Sequence, residues 1–136
     1  MQHKLLPLLL LLFSANAFAV KFPIEITEYI DEVKVDAYIN EADLNKTSKW
    51  TPFKSAPPLS VNDALASIKQ HIHADANFAD TTLIGVELKP VPGHTAYWHY
   101  LIKLKTVTDG KSQPHFFVVL MDGKVISAIK EPESIK

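Results

Sequence analysis

The sequence predicts an α+β domain: one amphipathic helix packed on a four-stranded antiparallel meander, with the N-terminal segment adding a short strand. Three observations predict it. Asp109-Gly110 and Asp122-Gly123 are hairpin turn signals set between apolar runs. Apolar residues alternate with period two through residues 82–107. Ahead of these strands lies one stretch of helical period, opened by a capping pattern.

The elements follow in chain order. Val33, Val35, Ala37 and Ile39 alternate like a strand, predicting one around Val33 to Asn40. Ile26, Tyr29, Ile30 and Val33 also fit a helix, so Lys21 to Thr51 reads both ways. After Pro57-Pro58, Ser60-Val-Asn-Asp63 supplies the N-cap and acidic N3 residue of a capping box. Val61, Ala64, Leu65, Ile68 and Ile72 then recur at helical spacing, while Asn62, Lys69 and Gln70 face away. Four strands come next: Thr82 to Lys89, Tyr97 to Val107, His115 to Met121 and Lys124 to Ile129. The last two are almost continuously apolar, as strands covered on both faces are. Pro92-Gly93 has the residues of a type II turn, and Gly85 inside an apolar run marks a bulge.

The helix residues Leu65, Ile68 and Ile72 are expected to meet Trp98, Tyr100, Phe116, Val118, Leu120, Val125 and Ile129. A two-residue Asp122-Gly123 loop would pair Leu120 with Val125 and Phe116 with Ile129. A strict two-residue Asp109-Gly110 turn would match Tyr100 with Val119, which conflicts with that set. The expectation therefore needs a bulge or longer loop in that hairpin, or the opposite face of "HFFVVLM" as the core. Phe117, Val119, Met121 and Ile126 form a second apolar face, edged by Lys124 and Lys130. One helix cannot cover both faces. The cover is either the segment before Trp50 or a partner, including a homodimer formed through that face; the intramolecular cover is preferred.

The N-terminus has the three parts of a secretory signal peptide: Lys4, an apolar run from Leu5 to Phe13, and small residues ending at Ala19. The run is too short to span a bilayer. The organisation is thus a signal peptide at 1–19, an acidic segment at 20–58 and a helix-plus-sheet domain at 59–136. The chain has no cysteine, which excludes disulfides and a lipid anchor on cysteine, and fits a periplasmic or secreted bacterial protein. All 14 basic residues are lysines and the net charge is −1, which argues against nucleic-acid binding. From Lys21 to Asp43 seven acids face two lysines, while from Lys89 onward seven lysines face four acids. The simplest reading places the acidic segment against the basic half of the same molecule.

Chemistry is sparsely signalled. The four glycines all have turn or bulge roles, leaving none for a phosphate-cradling loop. The chain has no G-x-S-x-G elbow and no H-E-x-x-H motif. His99 and His115 fall roughly 20 Å apart along paired strands, too far to share a metal. His71 and His73 point to different sides of their helix. No metal or cofactor is therefore expected, and catalysis is not. Trp98 and Tyr100 share a face with Ile102 and Leu104, the pattern of a sheet interior. Tyr97 and His99 share the other face with Leu101 and Lys103. The candidate binding residues are Tyr97, His99, Phe117, Val119, Met121 and Lys124.

The stretches "SVNDALASIKQHI", "YWHYLIKL" and "FFVVLMDGKVISAI" together resemble the PepSY-like and cystatin-like group of small exported α+β domains, over about Leu59 to Lys130. The turn Asp122-Gly123 is shorter than that group's usual Asp-Ala-x-Thr-Gly. The resemblance implies a non-catalytic module of the kind linked to protease inhibition or binding in the cell envelope, and carries over no functional residue. The functional expectation is a binding or inhibitory module with a protein or peptide partner. The alternative is a small-ligand carrier or enzyme with its site between helix and sheet.

Overall fold

A computed structural model describes residues 21–130; the expected signal peptide, 1–19, lies outside them. The order is β1 (Ile24–Ile30), β2 (Val33–Ile39), α1 (Glu41–Asn45), α2 (Val61–Ile72), a 3₁₀ turn (Ala76–Phe78), β3 (Thr81–Val91), β4 (His94–Thr108), β5 (Lys111–Leu120), β6 (Val125–Ser127) and β7 (Ile129–Lys130). The mixture of one main helix with antiparallel strands is as expected. A single four-stranded meander is not the whole architecture. Among the described residues, seven strands form two sheets, β3-β4-β5-β6 and β1-β2-β7.

The second sheet comes from the ambiguous N-terminal segment, which forms a hairpin rather than one strand. Its turn is Asp31-Glu32, with Ile30 paired to Val33 and positive φ at both residues, 49° and 66°. Such a turn normally has Gly in its second position; Glu32 stands there instead, so the sequence gives no hairpin signal. The chain also changes sheets at its end. Ser127 still pairs with Phe117, whereas Ile129 pairs with Asp36 of β2.

Two cores result, one on each face of the large sheet. Ile26, Val35, Ala37 and Ile39 of the small sheet, with Leu44 of α1, pack on Val91, Leu101, Phe116, Val118 and Leu120. Ala64 and Ile68 of α2 pack on Tyr100, Ile102, Leu104, Phe117, Val119 and Met121. The helix is capped as expected, the Ser60 hydroxyl accepting from the Asp63 amide at 3.0 Å. Gly85 does mark a bulge, where the register shifts past Leu83.

The face assignment needs correction. Phe116, Val118 and Leu120 face the small sheet, opposite to Trp98 and Tyr100, and Ile129 belongs to the small sheet and is exposed. The cause is turn parity. Asp109-Gly110 is a strict two-residue turn, with Thr108 paired to Lys111 and Tyr100 to Val119. Its φ values, 52° and 74°, suit the tight primed geometry. The irregular turn is Asp122-Gly123: Leu120 donates its amide to Lys124, and Val119 pairs with Val125. That loop holds three residues, with Gly123 at φ 91°. The extra residue brings Phe117 onto the same side as Val125 and sends Ile126 to the small sheet.

Both faces of the closing hairpin are covered from within the chain, but not as expected: Phe117, Val119 and Met121 lie under α2, and the segment before Trp50 covers Phe116, Val118, Leu120 and Ile126 instead. Acidic and basic halves also meet. Glu28 approaches Lys89 at 3.2 Å and Lys103 at 3.8 Å, and Asp43 approaches Lys124 at 2.6 Å.

Candidate functional site: a ring-lined cleft

A cleft of about 520 Å³ opens at one end of the sandwich, between the last turn of α2, the 3₁₀ turn, β5, β6 and the β1–β2 turn. Its floor is a chain of aromatic rings. The Phe78 ring lies 4.8 Å from His115 and 5.8 Å from Phe117, and His71 meets Phe117 edge-on at 5.6 Å. Local sequence places each. Asp75 caps the 3₁₀ turn by accepting from the Asn77 amide at 2.9 Å, which turns Phe78 back over the sheet. His71 occupies the end of α2, where its Nε2 lies 3.2 Å from Ser127 Oγ on β6. His115 reaches the cleft from β5, with Nε2 at 2.8 Å from Thr106 Oγ1.

The electrostatics are mixed. Burial holds the His115 imidazole below its usual range; Lys130 adds to this and Asp75 opposes it. The ring is therefore neutral near pH 7, able to donate from one nitrogen and accept on the other. Asp31 and Asp75 supply carboxylates to the lining, and Lys130 an ammonium. A smaller hollow of about 370 Å³ lies across the β1–β2 turn and shares Ile30, Asp31, Pro114 and His115 with the cleft.

Ser127 and His71 have the distance of a nucleophile and its base. His71 makes no hydrogen bond to a carboxylate among the described residues, so nothing orients the ring as a triad requires. No group of three or more histidine, aspartate or glutamate side chains suited to a metal ion occurs among the described residues.

Of the six candidates from the sequence, Phe117 alone lines this cleft. Val119 and Met121 are buried under α2, and Lys124 is paired with Asp43. Tyr97 is half-buried against the first core, with the Lys49 ammonium 5.7 Å from its ring centroid. His99 is only 1% exposed, and neither ring nitrogen has a hydrogen-bond partner among the described residues. Burial, reinforced by Lys89, pushes its pKa down to about 4. Nothing in the sequence groups His71, Phe78, His115 and Ser127. They come from four separate elements, and periodicity says nothing about which ends of those elements converge.

Comparison of the chain with protein-family models, curated proteins and solved structures yields no match.

Proposed function

We propose that the protein is an exported, non-catalytic binding module that seats part of a protein or peptide partner in the ring-lined cleft. The cleft carries the reading. It joins an aromatic floor to a few polar groups of both kinds, which is how recognition sites combine affinity with orientation. The resemblance of the sequence to PepSY-like and cystatin-like domains motivates a binding or inhibitory role in the cell envelope. A second reading, a small-ligand carrier, draws on the cleft's volume, which falls within the range of small-molecule sites.

Affinity capture on the mature protein, run beside native mass spectrometry, tests both. The module reading expects a macromolecular partner retained by wild type and lost with Phe78→Ala. The carrier reading expects a small adduct on the native protein, lost with the same substitution. A variant that retains whatever the wild type binds would sink both readings.

A further inference from the structure

The loop between α1 and α2 holds an aromatic residue where glycine is the usual choice. Thr51 to Lys54 form a β-turn, closed by the Lys54 amide donating to the Thr51 carbonyl at 3.4 Å. Pro52 takes the second position and Phe53 the third, at φ 70°. Positive φ after proline defines a type II turn, whose third position favours Gly or Asn. Phe53 therefore sits on strained backbone. Its ring is fully exposed, so packing within the described residues does not offset that strain.

The base of the turn is held firmly. Trp50 Nε1 donates to the Ser55 carbonyl at 3.0 Å, and the Trp50 amide donates to the Ala96 carbonyl at 3.1 Å. Its ring meets Trp98 edge-on at 5.0 Å. The connecting segment carries charge of one sign: Lys46, Lys49 and Lys54 are the only charged residues between Asp43 and Asp63. Lys46 leans toward Asp43 at 3.9 Å. Lys49 and Lys54 are exposed and form no ion pair among the described residues. None of the turn's residues lines the cleft.

We propose that the Phe53 turn is a recognition finger for a partner protein, its ring entering an apolar pocket rimmed by carboxylates that meet Lys49 and Lys54. Strain at an exposed aromatic is retained where a fixed direction matters. A rigid, preorganised aromatic is the kind of anchor that fills a pocket at the centre of an interface. A bilayer would accept the ring from any backbone conformation and gives no reason for the strained turn. The lysines select the sign of the rim, because like charges facing them would be repelled. This inference stands apart from the cleft, since the two surfaces share no residue.

The test places a photo-crosslinking benzoylphenylalanine at position 53 of the mature protein, and a control at Lys111, the first residue of β5. The protein crosslinked from position 53 is identified, purified and titrated calorimetrically against wild type, Phe53→Gly and the Lys49→Glu/Lys54→Glu pair. Phe53→Gly suits the turn geometry, so a melting temperature no lower than that of wild type separates lost binding from lost folding. The expected result is at least tenfold weaker binding for both variants, and weaker wild-type binding as salt rises. The proposal is overturned if position 53 crosslinks nothing beyond the Lys111 control, or if Phe53→Gly binds within twofold of wild type. It also falls if the finger's target is lipid, seen as co-sedimentation with phosphatidylglycerol vesicles that Phe53→Gly abolishes. Phe78→Ala, which probes the cleft, should leave the titration of this partner unchanged.

Discussion

Lys89 stands opposite His99 across the β3–β4 ladder, so a cation flanks an imidazole that is buried without a hydrogen-bond partner among the described residues. The protonated ring is disfavoured twice, by lost solvation and by this neighbour. Folding therefore releases a proton from His99 whenever the unfolded chain would hold one. A histidine with a lowered folded pKa gives full stability above its ordinary value of 6.5, and loses it as pH falls toward about 4. The loss over that window is about 3 kcal/mol. Urea unfolding at pH 7.5 and pH 4.5 should show it, and His99→Leu should reduce the difference substantially. His115, also shifted down, accounts for a further part. Equal pH dependence in wild type and His99→Leu would show that His99 does not drive acid sensitivity.

The interior position of His99 also marks what could be read from the chain and what could not. Period two showed that Tyr97 and His99 share a face, and that Tyr100, Ile102 and Leu104 share the other. It could not say that the first face was covered, because the cover is the Asp31-Glu32 hairpin, whose turn residues carry no signal. The α2 cap and period were legible because both are local. The face of β5 was not, since it depends on which of two Asp-Gly turns takes an extra residue. The cleft was hidden for a related reason: His71, Phe78, His115 and Ser127 each look ordinary in their own element.

The small sheet should be necessary to the large one. Ile26, Val35, Ala37, Ile39 and Leu44 cover Leu101, Phe116, Val118 and Leu120. A protein lacking residues 20–51 is expected to bind hydrophobic dye strongly and to self-associate, as an uncovered apolar face does. Phe116→Ala, which opens a cavity in the same core, should cost about 3–5 kcal/mol. A truncated protein that stays monomeric and dye-negative would contradict the cover.

Two glycines allow backbone strain to be separated from side-chain contact. Gly110 and Gly123 both have positive φ, 74° and 91°. A methyl group at Gly110 meets nothing within 4 Å, whereas at Gly123 it lies 3.2 Å from Ser67 Oγ. Gly110→Ala should therefore cost about 1 kcal/mol through backbone conformation alone. Gly123→Ala should cost more, with Ser67→Ala recovering only the excess. Thermal melts of the three variants check this. Full recovery by Ser67→Ala would mean that the backbone at Gly123 carries no penalty.

The turn at Phe53 makes an opposite prediction. Glycine in place of an exposed residue usually destabilises, since it adds freedom to the unfolded chain. At φ 70° in a type II turn, relief of strain works the other way. Phe53→Gly is expected to leave stability unchanged or raise it by about 1 kcal/mol. Phe53→Ala keeps the backbone strain and loses a ring that packs on nothing within the described residues, so it should be close to neutral. The difference between these variants isolates the strain, because neither removes buried area. Equilibrium unfolding of both settles the matter. If Phe53→Gly proved less stable than Phe53→Ala, the turn would not be strained at this residue, and its aromatic side chain would need a structural rather than a recognition role.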